Sequence, residues 1–539
     1  MSGPARHDLA GHQPPPPLGN ASDGRARELW RGLDAPTFEG LLSTLSIPPR
    51  SPALHHLWRS LLTADPGTSG GVNAGAQLDA VRFEALYRSG LIADIREALA
   101  ASARPAADTP LGSMLLARSE IGAGRREAGC EAVRRVGNIR GEIPKAMRGE
   151  AILVSGYCAA ATGNKPAAGL LAELAREEGI KPSPGLAALD AVALGSSTGI
   201  ALSKDQKLSL IDYRILELAG ATPAADELVK VATPALLSAV ADDNAAAAEL
   251  RLAAGEAAAR LNAYDPKAMA SLYRSVAGKQ PSPRAQNNAS AGEADTPQRR
   301  ASLFAAAEAE RTPAKKVRLI RTFLDSARRA GNYLPALVMV APLTHDVGLV
   351  HEIGWFAETA IEANLAAANY ERARMWTKFA ASLDTGRNRS MDHWMALIDI
   401  ADPQFADNRE NSLAALEHLA LMGRFSSDNL HRLATVLDAL EYNVPIPLWE
   451  AASRTPQPTT GHLPETGVLT QLQDAAKKSE LGRMILLAMQ TIGPDSADGA
   501  HMIALGDAIR ALKRSGLEAD ARRLGFEALL PGWPRTLTN

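Results

Sequence analysis

The chain has 539 residues, 46% of them hydrophobic, 4% aromatic and 22% charged, a length at which several domains or an extended array replaces one compact core. Its formal charge of -2, from 58 Lys and Arg against 60 Asp and Glu, supplies no general field for phosphate backbones and argues against nucleic acid as a partner. No apolar run approaches the ~20 residues of a membrane helix, so no membrane insertion is expected.

In chain order, residues 1–25 form a Pro-rich tail expected to be disordered. The tail lacks the apolar core of a secretory signal, which makes the cytoplasm the expected compartment. Its proline run, Pro14 to Pro17, also commonly follows a cleaved export signal, so a mis-assigned start codon leaves the periplasm as the alternative. Helical signal begins near Leu29 and Trp30, giving an N-terminal helical array over 26–279, and DPGTSGGVNAGAQ at 65–77 reads as a loop within it. Leu208, Ile211, Ile215 and Leu218 share one helical face that needs cover. Residues 280–298 carry three prolines and no large apolar side chain, and they read as a flexible linker. A C-terminal array over 299–539 follows. In it, Ala357, Ile361, Leu365 and Ala368 face Ala373, Trp376 and Ala380 across a turn, while Leu505, Ile509 and Leu512 face Leu517, Ala521 and Leu524.

Five times a small residue precedes an alanine by five positions across such a turn: Ala123 to Ala128, Gly163 to Ala168, Gly331 to Ala336, Ala368 to Ala373 and Gly516 to Ala521. With the abundance of alanine, a strong helix former that lets helices approach, this predicts an all-α chain of antiparallel hairpins stacked as an irregular α-solenoid in two halves. The turns GNYLPA at 331–336, ANYERA at 368–373 and GLEADA at 516–521 resemble those of the tetratricopeptide repeat. The resemblance implies a non-catalytic protein-binding scaffold and brings no catalytic residues, although the spacings depart from that family's 34-residue period.

Chemistry finds little support. Gly195 to Gly199 matches the G-x-S-x-G nucleophile elbow, but a helix-like segment precedes it where the mechanism needs a strand. His55, His56, His345 and His351 lack metal-ligand spacing, so no metal or cofactor is expected. The paired acids Glu177 with Glu178 and Asp242 with Asp243 read as solvated faces. Cys130 and Cys158 lie in helical patterns and read as small buried apolar residues, since two cysteines make neither a disulfide framework nor a metal site.

Residues 441–467 stand apart as a Pro-rich insertion holding Tyr442, Trp449, Arg454 and His462. Two readings compete. Tyr442, Trp449 and Arg454, with His462, form a recognition patch, or the segment is a packed plug with Trp449 anchored in the core, which is the reading preferred here. The expected function is a non-enzymatic scaffold or adaptor that binds a protein or extended peptide through its C-terminal half. The alternatives are an enzyme with a site near residues 431–465, built from His431, Trp449, Glu450 and His462, and an exported cell-envelope protein binding glycan or peptide.

Overall fold

A computed structural model describes residues 28–66, 72–101, 109–136, 142–196, 202, 205–278, 295–383, 391–404 and 409–535. These residues are almost entirely α-helical. Their only β-type pairings are the isolated bridges Leu208 to Ala232 and His462 to Ala500.

The chain holds 34 prolines, and many of them start helices rather than break them. Proline at the first helical position loses no hydrogen bond, because its missing N–H would be unpaired there, and its fixed φ suits the helix. Several are preceded by a capping side chain: Ser51 accepts from the Leu54 amide, Thr109 from Gly112, Ser183 from Leu186, Thr233 from Leu236 and Thr296 from Arg299. Many helix ends share one form of closure. The residue after the last turn adopts positive φ, as at Gly163, Gly331, Ala368 and Gly516, and the next amide bonds the carbonyl five residues back. The pairs are Asn164 to Ala159, Asn332 to Ala327, Asn369 to Asn364 and Leu517 to Leu512. This closure satisfies carbonyls that a helix end leaves bare and turns the chain back on itself.

Four of the five small-residue signals fall on that turn in register, and the alanine five positions later is buried at the hairpin seam: Ala168, Ala336, Ala373 and Ala521. The fifth is displaced by one residue. Gly124, not Ala123, has positive φ, and the buried seam residue is Gly129, while Ala128 faces solvent. A Cβ on Gly129 would sit 3.0 Å from the Ala117 carbonyl oxygen, which leaves no room for alanine there.

Other boundaries differ as well. The loop read at 65–77 ends early, because Val72–Arg88 is helical. The tail and most of the linker, residues 279–294, lie outside the described residues. The last four positions of the 280–298 stretch belong to the folded array: Pro297 opens a helix, and Asp295 accepts from Arg329 Nε (2.9 Å) and from the Ser326 hydroxyl. Packing is continuous on either side of this stretch. Tyr273 meets Phe304 and Phe323 ring to ring, and Arg300 pairs with Glu256 inside the core at 2.6 Å. Of the Asp pair, Asp242 is exposed while accepting from the Tyr264 hydroxyl (2.8 Å), whereas Asp243 is half-buried and accepts from Arg214 (2.8 Å).

The largest correction concerns the cysteines. Cys130 and Cys158 form a disulfide, with Cα atoms 5.6 Å apart. It joins Arg126–Val136, the second helix of one hairpin, to Lys145–Ala161, the first helix of the next.

The described chain also closes on itself. Pro52–Thr63 packs against both Leu481–Ile492 and Glu518–Leu529. Arg31 Nη2 donates to the Ser479 carbonyl (2.7 Å), His56 Nδ1 lies 3.1 Å from Asp520, and Gly482 abuts the Leu29 carbonyl so closely that a side chain there would collide with it.

Candidate functional site

Within 441–467, the run Ile446–Ser453 is a short helix with Pro445 at its N-cap and Pro447 in its first turn, and no side chain caps it. It packs on Arg409–Leu421 and Ser427–Ala439. Leu448 and Ala452, four residues apart, form its buried stripe. Trp449 lies about 100° further round and is 44% exposed, so Leu448 rather than Trp449 anchors the segment. Ile446, three residues before Trp449 and on the same outer face, is 73% exposed. That residue was not singled out in the sequence; its i, i+3 relation to Trp449 is the signal that would have found it.

The four sequence-predicted residues part company. Tyr442 is buried, accepts from Arg522 Nη1 (3.1 Å) and donates to the Asp399 carbonyl (3.3 Å), so it serves the core and not a surface. Arg454 is exposed and pairs with Glu450 one turn earlier at 3.4 Å. His462 directs Nε2 to the Gln490 carbonyl (3.1 Å), while its backbone makes the bridge to the 499–501 segment. A ring nitrogen facing a carbonyl carries the proton, and that fixes the imidazole as a structural donor. His431 Nε2 is similarly placed 3.0 Å from the Thr455 hydroxyl and 3.3 Å from its carbonyl. Trp449 and Glu450 therefore lie on an exposed helix that Arg454 ends, while His431 holds the Thr455 backbone and His462 the Gln490 carbonyl.

No hydrogen bond or ion pair links His431 or His462 to a carboxylate among the described residues, and no group of three His, Cys, Asp or Glu there has metal-site geometry. His345 is held below its usual range by burial, with Arg372 acting in the same direction. A small indentation is lined by Glu256, Tyr273, Phe323 and Met339, and its carboxylate is already engaged by Arg300 and the Tyr273 hydroxyl (2.7 Å). Gly195 ends Pro184–Leu194 in the left-handed conformation, so helix and not strand leads into the G-x-S-x-G match; Ser197 lies outside the described residues. What this arrangement offers chemically is contact area: an aromatic ring, a branched aliphatic and a guanidinium on one exposed helix.

Comparison with protein-family models, with curated proteins and with solved structures returns no match. No described helix is long and apolar enough to cross a membrane.

Proposed function

We propose that this chain is a non-enzymatic helical-repeat scaffold or adaptor, tetratricopeptide-like in its turns and solenoid-like in its stacking, that binds a protein or extended peptide through its C-terminal half. The observation that carries the reading is the helix Ile446–Ser453, held by Leu448 and presenting Ile446, Trp449 and Arg454 outward. Large apolar and Arg side chains displayed on a supported helix are what interface hot spots use. Its histidines are occupied with backbone, which weighs against the enzyme alternative.

A specific observation also bears on the compartment. Disulfides persist where the surroundings are oxidising and are rare in a reducing cytosol. The Cys130–Cys158 bond therefore favours the periplasm, or another oxidising space, over the cytoplasm. That keeps the exported, envelope-associated form of the scaffold as the preferred variant.

Photo-crosslinking tests the first part. A photoreactive residue replacing Trp449 is expected to give a discrete adduct in cells, while one at exposed Leu194 gives none. Equal labelling from both positions, or from neither, would overturn the assignment of this helix. For the compartment, alkylation of the protein taken directly from cells is expected to modify no thiol until a reductant is added.

A further inference from the structure

The helix Pro313–Arg329 turns Val317, Ile320, Phe323, Leu324 and Ala327 into the core. Its seventeen residues carry six Lys and Arg against a single acid, Asp325. On the wheel, Lys315, Arg318 and Arg329, with Arg311 just before the helix, lie opposite the buried stripe, and all four are exposed. Arg329 is bound to Asp295, Arg321 to Asp325 (3.3 Å), and Arg328 lies 4.0 Å over the Tyr333 ring. Arg311, Lys315 and Arg318 make no ion pair with the described residues. Three cations are thus displayed at and just before the start of one helix, in a chain whose overall charge is -2.

A second feature adjoins this helix. The 3-10 helix His351–Phe356 packs against this helix, and Arg321 Nη1 donates to Thr359 (3.1 Å) just beyond it. The segment and its lead-in expose Leu349 (39%), Val350 (42%) and Trp355 (44%), while Ile353 and Phe356 hold it to the core. A cationic stripe beside a supported apolar cluster suits an occupant with both carboxylates and apolar side chains. The interspersed acids decide which occupant. Glu310, Asp325 and Glu352 are at or near the surface here, and they would repel a continuous anionic sheet, whereas a peptide can place its charges between them.

We propose that this ridge, Arg311, Lys315 and Arg318 with Leu349, Val350 and Trp355, docks an acidic peptide segment of a partner protein that also carries apolar side chains. It deepens the scaffold reading, on which it rests, by naming a second surface and the chemistry of what binds there. The Pro313–Arg329 helix is roughly 25 Å long at 1.5 Å per residue, enough to read an extended segment of about seven residues.

The test uses the full-length protein and a fluorescein-labelled peptide of alternating Glu and Leu pairs, followed by anisotropy. Saturable binding is expected, weakening about tenfold or more between about 50 and 300 mM NaCl. Lys315→Glu with Arg318→Glu is expected to cost a further tenfold or so, and Trp355→Ala several-fold. Leu194→Ala should leave this peptide's affinity unchanged. If the charge reversal disturbs the helical circular dichroism, Lys315→Ala with Arg318→Ala replaces it and should show the same direction. The proposal is overturned if the peptide does not saturate, if charge reversal leaves its affinity intact, if a Lys-for-Glu peptide binds equally, or if phosphatidylglycerol vesicles bind and the peptide does not. An adduct at Trp449 together with any of those failures removes this ridge alone and leaves the scaffold reading standing.

Discussion

Leu448 and Trp449 are neighbours in sequence with opposite positions in the fold, one fully buried and the other 44% exposed. Truncating Leu448 to Ala should therefore cost roughly 2–5 kcal/mol through lost burial and the cavity left behind. Trp449→Ala should stay within about 1 kcal/mol of wild type. Urea unfolding of the two variants checks this, and the opposite order would restore Trp449 as the anchor. The distinction was legible in part. Two prolines mark where this helix starts, and counting from there pairs Leu448 with Ala452, whereas a tryptophan's size alone suggests burial. Tyr442 shows what counting cannot reach: its burial depends on Arg522 and the Asp399 carbonyl, which come from other helices.

At the scale of elements, the hairpins were readable where glycine or alanine occupies the left-handed turn ahead of a seam alanine, as at Gly163, Gly331, Ala368 and Gly516. They were not readable where Asn262, Glu441 or Ser479 takes the same conformation. The cost of positive φ at those residues is small beside the carbonyls the turn satisfies, so the geometry recurs without its usual letter. The disulfide was missed for a related reason. Cys130 and Cys158 become neighbours only once two successive hairpins stack, and neither periodicity nor spacing reports that stacking. Closing a loop of 28 residues should restrict the unfolded chain enough to contribute roughly 3–4 kcal/mol. Cys130→Ser with Cys158→Ser is accordingly expected to lower the urea midpoint, and a reductant should lower wild type but not the double variant. A reductant-insensitive wild type would mean that the thiols are not linked.

Across the whole molecule, the two ends of the described chain meet through a buried carboxylate. Glu527 accepts from the Ser51 hydroxyl (2.5 Å) and the Ala53 amide (2.8 Å) at the start of Pro52–Thr63, a contact between residues more than 470 positions apart. No local pattern in the sequence announces it. Burial pushes the Glu527 carboxyl up to about 7 from an ordinary 4.5, against the pull of Arg523, Ser51 and Ala53, with Asp520 adding to the rise. Arg523 lies 3.7 Å away, and Asp520 is itself held by His56. Charged groups on the neighbouring helices are engaged elsewhere: Asp399 with Arg374, Asp438 with Arg510, and Lys513 with Glu441. The sign follows from linkage. The folded protein holds this proton more tightly than the unfolded chain, so the contribution is fully present below about pH 4.5 and is lost as pH rises through about 7. Its size is on the order of 3 kcal/mol for a rise of this extent. Because other groups titrate in the same window, the informative quantity is the stability of wild type minus that of Glu527→Gln, measured by urea unfolding from pH 4.5 to 8. Glutamine keeps one acceptor oxygen, for the Ala53 amide, and can donate from its NH2 group to the Ser51 oxygen, with no charge to bury, so that difference should fall steadily with rising pH. A difference that stays flat would show that ionisation of Glu527 is not felt where the ends join, leaving packing around Gly482 and Leu29 as what holds the chain closed.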